Sequence, residues 1–351
     1  MNKKLFSVTL GQFLNKLQYK LWHKYAKDRT IIPWQPLALS IVATGLCNLK
    51  CTMCPTHSTL IPKDYKWRQT TLKNMDFETF KLIVDRFNQA ISVQIIGSGE
   101  PLLNKDLFKM VEYASVKRRM QVATISNGTL INRKINDLIS SPLDNITISL
   151  NGHNEQEYER LNAAPLFTQV YGNIKKLVEA RDAAGSKLEI NTSFIIDQQN
   201  YRLIPEFIKT GEDLGVDHIF LYNFLPSPYD GFRVQERTLL AHDQEVVEFL
   251  KTVVPERLRG KVFLPTLLDL EQQDKKCRVH TTTLRVDADK NYSACPIMLL
   301  NMEGDKKITD PQVWNSEFFQ EMRSRFISPN KDDLHDPCKV CTQNYGVECP
   351  R

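Results

Sequence analysis

Cys47-Asn48-Leu49-Lys50-Cys51-Thr52-Met53-Cys54 places three thiols within eight residues in a C-x3-C-x2-C run. A loop that short can turn all three sulfurs toward one soft metal centre. A structural zinc ion wants a fourth donor close by. His57 follows three residues on, but no second C-x2-C or H-x3-H appears within the next fifty residues. Three thiolates that leave one iron open suit a [4Fe–4S] cluster whose fourth corner binds something else. Zinc, or buried thiols without metal, are the competing readings. The apolar run Leu37–Thr44 ahead of the loop reads as a strand, and Pro55 closes the loop behind it.

Three further segments follow in order. Val93-Gln94-Ile95-Ile96-Gly97-Ser98-Gly99-Glu100-Pro101-Leu102 reads as a buried strand ending in a glycine turn. Val122-Ala123-Thr124-Ile125-Ser126-Asn127-Gly128-Thr129 repeats strand then turn, and Asn145-Ile146-Thr147-Ile148-Ser149-Leu150-Asn151-Gly152 does so again. Each alone is weak, since strand–glycine turns occur throughout α/β proteins. Together with the cysteine loop they resemble the radical S-adenosylmethionine (SAM) enzymes over about residues 38 to 225. The resemblance implies that Ser98, Gly99 and Glu100 stand where the family's G-G-E-P turn holds the SAM amino group. It likewise implies that Ser126 and Asn127 lie near the ribose, and that Ser149, Asn191 and Tyr222 complete the cofactor side. Met53 stands where relatives carry an aromatic residue by the adenine; a polarizable thioether can cover the same face. Ser98 replaces a glycine of the pattern, and Asn151 replaces a frequent Asp, so no acid role falls there.

From Leu37 to about Leu225, strand-like runs (Leu37–Ala43, Val93–Ile96, Val122–Ile125, Ile146–Leu150, Leu188–Ile195, His218–Phe224) alternate with amphipathic stretches. The latter include Phe77–Phe87, Leu107–Arg118, Val170–Ala184 and Ile204–Leu214. Six βα units predict a parallel sheet with right-handed crossovers. The resemblance implies an α/β fold, a partial (β/α)6 TIM-like barrel, with SAM at the C-terminal strand ends. Ligands favour that end in such folds because the βα loops converge there.

Residues 1–36 form a basic lead in which Leu10, Phe13, Leu14, Leu17, Leu21 and Tyr25 fall at helical spacing. The plain expectation is that this stripe packs on the barrel; the alternative is peripheral membrane contact, with the lysines toward anionic lipid. Residues 226–276, opening on Pro226-Ser227-Pro228-Tyr229-Asp230-Gly231, read as linker and bridging helix, and residues 277–351 as a small second unit.

That last unit holds Cys277, Cys295, Cys338, Cys341 and Cys349. Thr283–Cys295, with its Asp287-Ala288-Asp289-Lys290-Asn291 turn, predicts a β-hairpin that returns Cys295 beside Cys277. Cys338-Lys339-Val340-Cys341 supplies a C-x2-C turn, so four thiolates complete the ligand set of a second [4Fe–4S] cluster, with four-thiolate zinc as the alternative. The layout resembles the SPASM/twitch auxiliary-cluster domains: a small C-terminal β-hairpin/helix iron–sulfur domain. Cys349 is left over as a spare thiol, a further ligand or a hydrogen-atom donor.

The 351 residues carry a net charge of +5, ordinary hydrophobic content of 42% and no uninterrupted apolar run long enough to span a bilayer. The modest, dispersed charge gives no nucleic-acid footprint. Clustered cysteines without a signal pattern suggest metal ligands and a reducing cytoplasm. The resemblance implies reductive cleavage of SAM to a 5′-deoxyadenosyl radical that abstracts hydrogen, with electrons from a flavodoxin or ferredoxin. A closed auxiliary cluster suits electron acceptance, which favours dehydrogenation of a small-molecule substrate, sugar- or cyclitol-like. Strand-end residues Tyr222, Asn223 and Arg233 are the expected substrate-facing groups. Epimerisation with Cys349 as donor is one alternative. Peptide modification is another, ranked lower because only about 36 residues precede the barrel where a leader-binding domain would stand. A cluster-bearing electron carrier without SAM chemistry is the non-enzymatic alternative.

Overall fold

The computed structural model describes residues 8–25, 29–64, 72–225, 234–295 and 307–348. Its strands are β1 Ala38–Thr44, β2 Ser92–Gly97, β3 Gln121–Ser126, β4 Asn145–Ser149, β5 Glu189–Ile196, β6 His218–Asn223, β7 Val262–Phe263, β8 Leu267–Leu268, β9 Thr283–Val286, β10 Tyr292–Ser293 and β11 Gly346–Val347. Between them lie α1 Leu10–Tyr25, α2 Phe77–Arg86, α3 Leu107–Glu112, α4 Ile135–Ser140, α5 Glu155–Asn162, α6 Phe167–Ala184 and α7 Ile204–Leu214. Among the described residues the main sheet has nine strands in the order β10-β9-β1-β2-β3-β4-β5-β6-β7. Strands β1 to β7 run parallel to their neighbours, as right-handed βαβ connections require. The six expected strands are all present.

Two additions extend that sheet. Strand β7 pairs with β6, and the C-terminal hairpin joins the opposite edge, with β9 parallel to β1 and β10 antiparallel to β9. The hairpin therefore belongs to the barrel sheet rather than to a separate layer. A second, two-stranded sheet pairs β11 with β8.

Burial alternates along the central strands. Val93, Ile95, Val122, Ile146, Ile148 and Ile219 are buried beneath the helices. Their neighbours Gln94, Ala123, Ile125, Thr147, Ser149 and Tyr222 on the inner face are only half-buried or exposed. A closed eight-stranded barrel fills that lumen with side chains. Here the lumen face stays open, and with it the space at the C-terminal strand ends.

The first helix reverses the plain sequence expectation. Its buried residues are Gln12, Asn15 and Trp22, whereas the leucine stripe faces outward. Gln12 Nε2 donates to the carbonyls of Ala90 (2.9 Å) and Arg118 (3.1 Å). Asn15 Nδ2 donates to those of Gln35 (3.1 Å) and Gln89 (3.2 Å), and its Oδ1 accepts from Gln35 N–H. These carbonyls lie just ahead of β1, β2 and β3. Burying them unpaired would cost more than exposing leucines, so the amide face goes inward. Trp22 packs edge-to-face on Trp34, with centroids 5.0 Å apart. Helix α1 thus caps the N-terminal ends of the strands, opposite the cysteine loop.

Arg323, on the helix Glu317–Ile327, clasps the segment at Thr30 to the region around His280 and Trp314. It is 1% exposed and donates to the carbonyls of Thr30, Trp314 and His280 and to Asn315 Oδ1.

Candidate active site

The loop after β1 carries Cys47, Cys51 and Cys54, and the strand prepares for it. Register against β2 slips between Val42 and Thr44, a bulge that re-aims the chain at the strand end. Thr44 Oγ1 then accepts from Leu46 N–H at 3.0 Å. Two backbone amides point at sulfur: Leu49 N–H at Cys47 Sγ and His57 N–H at Cys54 Sγ, both at 3.4 Å. The far side of the loop is fastened to α5. Thr52 N–H donates to the Leu161 carbonyl at 2.9 Å, and the Cys51 thiol donates to Asn162 Oδ1 at 3.5 Å.

Burial pushes the Cys51 thiol up to about 12, with the neighbouring Cys54 and Cys47 adding to the effect. Cys47 is raised for the same first reason. Thiols in this state stay protonated until a metal centre takes the proton's place. Among the described residues, no three His, Cys, Asp or Glu side chains converge on the spacing of a single metal ion. Thiolates around one zinc sit about 4 Å apart, whereas cluster thiolates each meet a different iron and stand further off. The donor set, three sulfurs from one short loop, fits the cluster.

Glycine at 99 is required by close approach. A Cβ there would collide with the Leu46 carbonyl, so the turn after β2 can lie against the cysteine loop only without a side chain. Glu100 N–H donates to that carbonyl at 2.8 Å. The Glu100 carboxylate, 1% exposed, braces two loops. Its Oε1 accepts from Leu102 N–H (3.0 Å) and Ser126 Oγ–H (2.8 Å), and its Oε2 accepts from Asn127 N–H (2.7 Å). Burial raises its pKa against the pull of those three donors. The Asn127 side chain reaches on to the cysteine loop, donating to Asn48 Oδ1 at 2.9 Å. Asn48 Nδ2 in turn donates to Thr129 Oγ1 at 2.8 Å. Glu100, Ser126 and Asn127 are thus one hydrogen-bonded rim beside the cysteines, and Ser98 and Gly99 precede Glu100 in the same turn.

Other expected residues divide. Met53 and Tyr222 line a cavity of about 670 Å³ at the barrel mouth, and Ser149 closes β4 on the lumen face. Asn191 does not join them. It is the third residue of β5, near the strand's N-terminal end, and its amide is committed to Glu189 Oε1 (2.8 Å) and His218 N–H (3.1 Å). Asn223 is likewise spent internally on the Leu239 and Thr266 carbonyls, both at 2.9 Å. Arg233 and Cys349 lie outside the described residues. Sequence reasoning missed Asn48, Asn162 and Asn344, since nothing in an isolated Asn signals a loop-to-loop bridge.

The C-terminal cysteines meet as the hairpin pattern suggests. Cys277, Cys295, Cys338 and Cys341 line one small cavity, walled by apolar groups that include Met322 and Phe326. Burial pushes Cys277 up to about 12 and Cys341 up to about 11, and raises Cys338 as well. Asn344, 1% exposed, holds the two halves, accepting from Cys277 N–H at 3.3 Å and donating to the Cys338 carbonyl at 3.2 Å. Gln343 borders both this cavity and the barrel mouth. Arg285 on β9 donates to Ser98 Oγ at 3.1 Å, linking hairpin and rim.

The chain is similar to several known proteins. The chain is 24% identical over 324 residues to the PqqA peptide cyclase of Gluconobacter oxydans, covering 88% of this chain and 84% of that one. It is 23% identical over 233 residues to a probable GTP 3′,8-cyclase of Saccharolobus islandicus, covering 65% and 69%. The fold superposes on Streptococcus suis SuiB bound to its precursor peptide SuiA with a TM-score of 0.63 and 17% identity, over 87% of this chain and 70% of that one. The family model described as the radical SAM superfamily matches residues 41–222, more than half of the sequence, and the chain belongs to that superfamily.

Proposed function

We propose that the protein is a peptide-modifying radical SAM enzyme of the SPASM/twitch kind. Members of the superfamily use a [4Fe–4S] cluster and SAM, which when bound together supply a hydrogen-abstracting radical. In this reading Cys47, Cys51 and Cys54 hold that cluster, and the Ser98–Glu100 and Ser126–Asn127 rim positions SAM. Cys277, Cys295, Cys338 and Cys341 would hold an auxiliary cluster, which would supply an electron acceptor.

The observation that carries the substrate class is the wall of the mouth cavity. Phe220, Tyr222 and Phe263 stack along one side, with Phe220 and Phe263 centroids 4.9 Å apart, and Leu264 and Pro265 continue it. Its best-placed amide, Asn223, is already satisfied. A sugar or cyclitol needs several paired hydroxyls when desolvated, which the described residues of this wall do not offer. An apolar or aromatic side chain on a peptide fits it, with Thr342, Gln343 and Glu348 at the rim. The PqqA peptide cyclase among the relatives, and the similar fold of SuiB solved with its precursor peptide, support the same choice. The small-metabolite dehydrogenation expected from the sequence has less support.

The test incubates cluster-loaded, reduced protein with SAM and, separately, a peptide library and a panel of sugars and cyclitols. Peptide-dependent 5′-deoxyadenosine with a peptide mass change is the expected result. Stimulation by a sugar or cyclitol alone would reject the peptide reading.

A further inference from the structure

We propose that α1 seats the protein on an anionic membrane surface. The helix is turned inside out relative to a soluble one. Leu10, Phe13, Leu14, Leu17, Leu21 and Tyr25 are 72%, 56%, 46%, 40%, 50% and 71% exposed. They share one arc of the helix, opposite the arc that buries Gln12, Asn15 and Trp22. Scattered exposed leucines are ordinary, but six large apolar side chains on one face of a 16-residue helix make a contiguous patch that needs a cover.

Charge identifies the cover. The helix carries no Asp or Glu; Lys16, Lys20 and Lys24 are exposed, the first two along the flank of the stripe and Lys24 within its edge in the last turn. The first 36 residues hold seven basic residues and one acidic, a net +6 against +5 for the whole chain. A second copy of this face would set lysines against lysines with no acid on the helix to pair them. Anionic headgroups pair all three, and the lysine stems lie along the acyl boundary while the leucines enter it. At 16 residues the helix is about 24 Å long, short of a bilayer core, so it lies on the membrane rather than crossing it. Among the described residues no helix is long and apolar enough to span one.

The seat has a geometric consequence. Because α1 caps the N-terminal strand ends, docking turns the cysteine loop and the mouth cavity away from the lipid. Substrate then arrives from the aqueous side.

The test is vesicle flotation of the full, cluster-loaded protein. One set of vesicles contains about one-third phosphatidylglycerol in phosphatidylcholine and the other is pure phosphatidylcholine. The parent is expected to float with the anionic set and to be released by salt. A Lys16→Glu/Lys20→Glu/Lys24→Glu variant should bind roughly 100-fold more weakly. A Leu14→Asp/Leu17→Asp variant should lose at least roughly tenfold. Both should keep the parent's iron content and melting temperature, because every altered side chain is exposed and the buried amide face is untouched. Failure of the parent to float, equal binding to both vesicle types, or unchanged binding by the lysine variant would each overturn the proposal. So would a concentration-dependent dimer, without flotation, that either variant abolishes. None of these outcomes depends on the substrate reading above.

Discussion

Replacing Glu100 by Gln changes a single atom at the joint between the two loops proposed to hold SAM. The carboxylate takes three donors, from Leu102 N–H, Ser126 Oγ–H and Asn127 N–H, at 3.0, 2.8 and 2.7 Å. A glutamine keeps one oxygen. If its amide faces Asn127, two N–H donors oppose each other and the Asn127 amide is orphaned. If it is flipped, Leu102 N–H is orphaned instead and the Ser126 hydroxyl must turn. The first orientation is cheaper.

Losing a hydrogen bond to a charged acceptor costs about 1.5–3 kcal/mol, and a buried unsatisfied N–H adds to that. Against it, Gln no longer buries a charge, and burial already works against the ionised Glu100. The balance is a stability loss of about 2 kcal/mol, concentrated at the Asn127 turn. If that turn positions SAM, even about 1.4 kcal/mol of lost preorganisation weakens SAM binding tenfold. Ser126→Ala is the comparison, since it removes one donor yet leaves Asn127 N–H on the carboxylate. Equilibrium dialysis of SAM against variants of matched iron content, with a parallel thermal melt, measures both effects. Parent-like SAM affinity and melting in Glu100→Gln, or a larger loss in Ser126→Ala, would refute the bracing argument.

Anaerobically loaded protein should carry about eight irons, with Cys47→Ala/Cys51→Ala/Cys54→Ala retaining about half; about four irons plus zinc in the parent would refute a second cluster. Arg323→Met should cost about 3–5 kcal/mol, because four oxygens lose a buried donor, and an unchanged urea midpoint would contradict this. Burial, helped by Arg323 and Arg278, takes His280 down to about 3, so it is neutral when folded and protonates near 6.5 when unfolded. Its contribution to stability is therefore present above pH 6.5 and is lost as pH falls toward 3. The parent should lose up to about 1.4 kcal/mol per pH unit relative to His280→Phe below pH 6.5, and a gap constant from pH 7.5 to 5 would contradict that.

The six barrel strands β1 to β6 were legible because each is an apolar run bounded by turn residues, and each lies within a residue or two of its expected limits, whereas the two-residue strands β7, β8 and β11 were not foreseen. The cysteine loop and the hairpin turn were legible because their spacing is local. What escaped depends on distance or on sidedness. Periodicity locates the leucine stripe of α1 but not whether it faces in. That was decided by carbonyls at Gln35, Gln89, Ala90 and Arg118 that need amide donors, and no window around residue 15 contains them. Asn191 failed for a similar reason. Its amide is taken up by Glu189 and by His218, its register partner on β6, a pairing the strand's own sequence does not specify.

The pairing of β9 with β1 joins residues more than two hundred positions apart, and it explains a departure in the pattern itself. The pattern this chain resembles has glycine where Ser98 stands, and a half-buried hydroxyl at a tight turn gains from a partner. Parallel register sets Arg285 against Ser40 on β1, from where its guanidinium reaches Ser98 Oγ at 3.1 Å. Arg285 is 6% exposed, and burial lowers its pKa to about 10 while Cys295 and Asp287 pull the other way. A cation so placed is costly unless its surroundings are fixed. Arg285 thus ties β9 to Ser98 by a hydrogen bond, while the nearby Cys295 and Asp287 favour its charge. A shift of the hairpin that moved Cys295 would also move the rim at Ser98. The C-terminal cysteines and the proposed SAM rim are therefore a single packed unit, joined at the edge of β1.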